Sequence, residues 1–303
     1  VASHKLSEEE IEIVDRHTPN FSWFTLLTGI GFISLFVAST ILSVRNSIPL
    51  WFGFCLNMLS FTAMFVTIHD CMHGQISQKN KKLKWIDKTV GTVAGLLVQM
   101  EFSGWCKQHG AHHKATNIPG EDPNWRYHKN AFAMWKQTAI GYLILHIYAI
   151  PIIGKKICSK FIPPWKYEYF KKFMPVEWTY QLLANWSIFF IAVFYGYGKY
   201  ALVLWMLPSL VSRVRMHYQF IWSPHKNLTY TNDYLDTVLH IRPYGVDRIW
   251  WRALLDYHLI HHLYPQVPSN KLRGVYMDVK HILKENGTET IRGWGWENKN
   301  GVV

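Results

Sequence analysis

Apolar side chains gather in four long runs, arranged as two pairs, and each pair is joined by a short polar turn. The first run, residues 21–44, is long enough to cross a bilayer; a second, 50–68, crosses back after the tight link at 45–49. A later pair, roughly 179–195 and 200–214, is turned by the glycine-containing YGYGK segment. Ahead of the first run, Ser7 and Glu10 have the spacing of a capping box. This predicts a short amphipathic helix to about His17, lying at the membrane surface. The stretch 89–100 is apolar but too short to span, so a re-entrant or interfacial helix is expected there.

Composition fits this pattern. Hydrophobic residues make up 49% of the 303 residues, and the 15 Trp, 16 Tyr and 17 Phe suit a chain with aromatic belts at a membrane interface. A mean hydropathy of −0.03 requires a substantial polar portion outside lipid. The net charge of +12 is accompanied by no nucleic-acid motif, so no nucleic-acid partner is expected. Basic loops on the cytoplasmic side of a bilayer explain the charge better. Only Arg45 and Lys199, of all Lys and Arg, fall in the two outer turns. The opposite face, with both termini, is thereby expected to be cytoplasmic. The sequons at Asn227 and Asn286 would then face the cytoplasm and are read as chance. Cys55, Cys71, Cys106 and Cys158 form neither a CxxC pair nor a disulfide framework. No signal-peptide arrangement, internal repeat, low-complexity linker or GxGxxG stands out.

The chemistry lies in three tight histidine groups: His69 and His73 in HDCMH, His109, His112 and His113 in HGAHH, and His258, His261 and His262 in HLIHH. Residues three and four apart share a helix face, so each group can aim its imidazoles at one point. Eight nitrogens exceed the needs of one metal ion and suit two. No thiolate accompanies them, and an all-imidazole site with open positions is one that iron uses to activate oxygen. A shared site also constrains topology. Residues 132–154 are apolar enough to tempt a further crossing, but one crossing there would separate the histidine groups across the membrane. An amphipathic interfacial helix is expected instead.

These groups, with the flanks HDCMHGQIS, HHKATNIPGEDPNW and HHLYPQVPSNKL, resemble the integral-membrane fatty acid desaturase superfamily over about residues 54–272. That superfamily includes lipid hydroxylases and carotenoid hydroxylases and ketolases. The resemblance implies an all-α integral membrane fold in one domain. Four transmembrane helices in two hairpins would carry a cytoplasmic helical cap, 69–178 and 215–303, with a histidine-rich di-iron site. It implies the eight histidines as ligands of two iron ions, with O2 as co-substrate. A ninth ligand is expected between the second hairpin and the third group; His240 is slightly favoured over His217, and His225 ranks below both. The family's Glu-His pair is missing here, where Arg213-Val-Arg215-Met-His217 stands. Asp70, Asp122 and Asp256 suit carboxylates that orient ligand histidines, with helix capping or surface charge as the plainer alternative.

With no cytochrome-type HPGG segment in the chain, electrons are expected from an external donor of ferredoxin or cytochrome type. Basic residues including Lys81, Lys82, Lys84, Lys155, Lys156, Lys171 and Lys172 could dock that donor or lipid headgroups, though topology alone accounts for them. Trp105, Trp125, Trp250 and Trp251 could line a hydrocarbon tunnel or serve as interfacial anchors. Ile260 replaces a Glu that many acyl desaturases carry in the third group, which leaves room for a carotenoid substrate. The first expectation is a fatty acyl desaturase acting on a lipid in the membrane, followed by a carotenoid ring hydroxylase or ketolase. A zinc membrane hydrolase would leave half the ligands unexplained, and a silent scaffold would not need them. A homo-oligomer is compatible with the sequence.

Overall fold

The computed structural model describes residues 5–124, 131–148, 176–225 and 257–288, with short stretches at 150, 154, 156–157, 160, 228, 233–235, 240–242 and 290–292. Among the described residues the regular structure is helical apart from one pair of three-residue strands. The helices are α1 (Glu8–His17), α2 (Trp23–Val44), α3 (Leu50–Met72), α4 (Lys84–Leu97), α5 (Phe102–Lys114), α6 (Ala131–Tyr148) and α7 (Val176–Phe194). Then follow α8 (Gly198–Ala201), α9 (Leu207–Met216), α10 (His258–Leu263) and α11 (Leu272–Glu285). The strands β1 (His240–Arg242) and β2 (Thr290–Arg292) pair in parallel, a small β element absent from the all-α expectation.

Among the described residues, two helices, α2 and α3, are long and apolar enough to cross a membrane. They form a hairpin whose turn places Asn46 at φ +56°, a left-handed conformation that Asn tolerates. Ser22 caps α2 by accepting a hydrogen bond from the Thr25 N–H. Gly53 lets the two helices approach closely, because a Cβ there would collide with the Ser43 hydroxyl. Large apolar side chains on α2 and α7, such as Trp23 (66% exposed) and Phe194 (83% exposed), point away from the protein. Outward apolar faces of this extent suit lipid better than water.

Helix α3 is the centre of the fold and packs against α2, α4 and α9. Its Asn57 is fully buried and bonds three ways: to Ser39, to Thr40 Oγ1 (3.1 Å) and to the Leu204 carbonyl (2.8 Å). That carbonyl lies in the π-helical stretch Leu202–Met206 between α8 and α9, where the widened turn alters the regular ladder. A second π stretch, His217–Trp222, follows α9. Residues 198–222 thus run as one winding rod. It covers the expected 200–214 segment and continues beyond it.

Helix α3 also runs past the expected end at 68, and this extension carries His69. The capping box forms as expected. Ser7 Oγ accepts from Glu10 N (3.2 Å), and Glu10 Oε2 accepts from Ser7 N (2.7 Å). Glu10 does more than cap. It is 2% exposed, and its Oε1 accepts from the hydroxyls of Tyr234 (2.8 Å) and Tyr264 (2.7 Å). Helix α1 packs on α11, with His17 Nε2 at 2.8 Å from Asp278. Ile260 is fully buried among Leu259, Tyr264, Val267 and Leu272 in the main apolar cluster.

Candidate metal centre

Three elements bring the histidines together. The end of α3 supplies His69 and His73, α5 supplies His109, His112 and His113, and α10 supplies His258, His261 and His262. The i, i+3 and i, i+4 spacings turn each set inward, leaving Lys107 and Lys114 on the solvent side of α5.

The side chains fall into two groups. His69, His73, His109, His113 and His261 place one ring nitrogen each within 4.8 Å of one another. His112, His225 and His262 form the second group by the same measure. His258 adjoins the second, its Nε2 being 3.2 Å from His225 Nε2. The groups share a wall, since the rings of His113 and His262 stack with centroids 4.3 Å apart.

Several nitrogens face one another at close range: His113 to His109 at 3.0 Å, and His261 to His113 at 3.2 Å. Two imidazole nitrogens about 2.1 Å from one ion, at octahedral or tetrahedral angles, would lie about 2.9–3.4 Å apart. Buried ring nitrogens of His73 and His262, both Nε2, have no hydrogen-bond partner among the described residues. Buried polar atoms are rarely left unpaired, and a metal ion would satisfy them. The donor set therefore fits two ions bound by imidazole.

Electrostatics agree. Burial, reinforced by neighbouring histidines, holds His109, His113, His258, His261 and His262 well below the ordinary imidazole range. They are neutral at pH 7, the form that binds metal. Asp122 is buried, which opposes its charge. The adjacent His112 and two backbone N–H groups outweigh this and hold its carboxyl below the ordinary range. The carboxylate accepts from Asn117 N (2.8 Å) and Asn124 N (2.7 Å) and meets His112 Nδ1 at 2.9 Å. That contact fixes the ring so that Nε2 faces the second group. Asp70 does the same for His69 at a longer 3.2 Å, and is itself held by the Ser269 hydroxyl at 2.7 and 2.8 Å.

The geometry and the family comparison point the same way. A fatty acid desaturase family model matches residues 46–294. The chain belongs to the fatty acid desaturase family. Among its relatives, the sn-1 oleoyl-lipid 12-desaturase of Picosynechococcus sp. is 24% identical over 276 residues, 82% of this chain and 73% of that one. The acyl-lipid omega-3 desaturase (cytochrome b5) of the Arabidopsis thaliana endoplasmic reticulum is 26% identical over 254 residues. This covers 74% of the chain but only 61% of that relative, less than two thirds of its length. The zeaxanthin 4-ketolase of Chlamydomonas reinhardtii is 30% identical over 131 residues, 41% of this chain and 28% of the relative.

Not every candidate of this desaturase-family chain joins the cluster. His217 lies in neither group; its Nδ1 meets the Arg213 carbonyl at 3.0 Å. Burial and the nearby Arg213 lower its pKa to about 4. His240 begins β1, and its side chain lies outside the described residues, as do Asp256, Trp125, Trp250 and Trp251. His225, ranked last from sequence, takes the place in the second group. It follows Ser223-Pro224 at the close of a π stretch, and that helix break is the one local signal that singles it out. Trp105 does line the centre, stacking on His109 at 5.1 Å with planes 11° apart. Beside the histidines lies an apolar cavity walled by Phe65, Trp105, Phe220 and Ile221 and floored by His69, His109, His112 and His258.

Proposed function

We propose that the chain is an O2-dependent di-iron membrane oxidase that desaturates a fatty acyl lipid. The observation that carries this reading is the pair of adjoining all-histidine groups beside an apolar cavity. Ligands to the first iron would be His69, His73, His109, His113 and His261. The second would be held by His112, His225, His258 and His262. The irons would supply the oxidising power that removing hydrogen from an unactivated methylene requires, which no amino-acid acid or base possesses. The chain's residues have other tasks. Asp122 and Asp70 orient ligand rings, and Trp105 buttresses His109. Phe65, Phe220 and Ile221 exclude water and hold a hydrocarbon against the histidines.

The overall reaction takes two hydrogens from neighbouring carbons of the chain, one O2, and two electrons with two protons from outside. It leaves a carbon–carbon double bond and two waters. The electrons would come from a separate donor protein. The Arabidopsis relative, whose name carries cytochrome b5, supports a donor of that kind. Four crossings, with α7 and residues 198–216 as the second hairpin, would put the histidines and both termini on the cytoplasmic side, as the positions of Arg45 and Lys199 favour. A second reading, carotenoid ketolation, rests on the ketolase relative and on Ile260, where many acyl desaturases have Glu.

The test is product analysis by mass spectrometry in a host supplied with acyl lipids and a cyclic carotene, with His112→Ala as the inactive control. Acyl products lighter by two hydrogens, absent in the control, support the desaturase. Oxygenated carotene with unchanged acyl chains would replace it with the second reading. Zinc in place of iron in the purified protein would overturn both.

A further inference from the structure

Of the three helices that carry the histidines, α10 is the shortest, with six residues. Among the described residues no side chain caps its start. Isolated helices shorter than about 12 residues are marginal in water, so outside contacts must hold α10 in place. Leu259 and Ile260 seat it in the main apolar cluster and set its depth. Apolar burial is non-directional, however, and leaves rotation about the helix axis loosely defined. A metal site needs its ligands held to within about 0.5 Å of the working geometry.

Directional bonds reach this segment from two sides. On one side is the turn after α3, where the fully buried Gln75 donates from Nε2 to the Pro265 carbonyl (2.8 Å) and accepts at Oε1 from Ser269 N (3.2 Å). On the other side stands Glu10 of α1. Tyr264, fully buried and two residues beyond His262, closes α10 with its N–H on the Ile260 carbonyl (2.9 Å). Its hydroxyl donates to Glu10 Oε1 at 2.7 Å, and the Tyr234 hydroxyl donates to the same oxygen at 2.8 Å. The carboxylate is itself fixed: its Oε2 accepts from Ser7 N, and Ile13 and Val14 bury α1 in the same apolar cluster. An apolar side chain would anchor α1 without the cost of desolvating a carboxylate. What the carboxylate adds is direction.

We infer that Glu10 is a positioning residue of the metal centre, acting through Tyr264 to fix the rotation of α10 and so the aim of His258, His261 and His262. The inference rests on the di-iron reading above. Helix α10 serves both groups, with His261 in the first and His262 in the second. Loss of Glu10 should therefore loosen both irons together. Asp70 and Asp122 differ in this respect, since each bears on a histidine of one group.

The experiment uses the full chain, purified in detergent with iron bound, as wild type, Glu10→Ala, Glu10→Gln, Tyr264→Phe and Ser7→Ala. The rate of iron release to excess chelator is read beside the melting temperature. Losing a partner that orients a metal-bound histidine costs about 10–100-fold in affinity. Acting at one remove, Glu10→Ala and Tyr264→Phe should sit at the lower bound and speed release about tenfold, from both irons alike. Ser7→Ala weakens the cap and spares the tyrosine bonds, so its melting temperature should fall while release stays as in wild type. Glu10→Gln keeps an oxygen for the two hydroxyls and loses the acceptor for Ser7 N; it should behave like Ser7→Ala. Wild-type release from iron-loaded Tyr264→Phe overturns the inference and leaves the di-iron site standing, and this variant decides alone should Glu10→Ala not accumulate. Release from Ser7→Ala as fast as from Glu10→Ala also overturns it, reducing Glu10 to an anchor of α1. Wild type that holds no iron overturns the di-iron reading itself, and the inference with it.

Discussion

The two histidine groups adjoin, yet they are assembled differently. The first draws five members from three sequence clusters, four on regular helices and His73 at the C-cap of α3, and its carboxylate support is Asp70, held by a single hydroxyl from Ser269. The second draws His112 and His262 from the same clusters but takes His225 from outside them, at a helix break, and its carboxylate Asp122 is locked by two backbone N–H groups. Helical periodicity turns each of the first group's sets inward, and the packing of α3, α5 and α10 closes it. The second depends on tertiary structure to deliver a member and on a rigid turn to hold the ring of another.

The strongest way to break this comparison is to remove the first-group residue that forms the wall between the halves. His113 stands 3.0 Å from His109 and 3.2 Å from His261, and its ring stacks on His262. His113→Ala should lose iron from both positions and abolish product formation; metal analysis and product assay read each effect. Next is a contrast between two histidines eight residues apart. His225→Ala should lose about half of the bound iron and all activity, because ligand loss couples directly to metal affinity. His217→Ala should keep its iron. Equal loss from both would remove the distinction between a member of the second group and a bystander.

Smaller effects should separate the carboxylates. Replacing a carboxylate that orients a metal-bound histidine typically costs about 10–100-fold in affinity or activity. Asp122→Asn should fall at the upper end, because its oxygens also hold the turn at Asn117 and Asn124. Asp70→Asn should fall at the lower end, given its longer contact with His69. Iron titration of both variants gives the ranking, and a greater loss for Asp70→Asn would reverse it.

The contrast also explains what could be read in the chain beforehand. The eight clustered histidines and the α2–α3 hairpin are written in local periodicity, which depends only on spacing along a helix. Asp70 and Asp122 were legible because they lie beside their histidines. His225 was not, because its approach to His258 depends on how the rod 198–222 winds through two π stretches, and no short pattern encodes that path. The same holds for Asn57, whose partner Leu204 is 147 residues away. The parallel strands at 240–242 and 290–292 are too short for alternation to reveal. Glu10 was identified as a cap, but its tyrosine partners come from segments over 200 residues distant.

The subtlest difference concerns protons. Members of both groups, His109, His113 and His261 in the first and His262 with the adjoining His258 in the second, are held below the ordinary imidazole pKa, chiefly by burial. In the unfolded chain such side chains titrate near about 6.5. Between that value and the lower folded pKa the unfolded state binds more protons, so stability falls as pH drops through this window and recovers above it. Each histidine that takes up a proton on unfolding contributes a slope of up to about 1.4 kcal/mol per pH unit. The chelator-treated protein should therefore melt at progressively lower temperature from pH 7 to pH 5. Replacing one buried imidazole by an apolar side chain, His261→Leu in the first group or His262→Leu in the second, should flatten that dependence. With iron bound the decline should steepen, since protons then also displace the metal. Melting curves that stay parallel in the two Leu variants and the wild type would show that neither group stores the proton-linked strain, and that the imidazoles are already open to solvent.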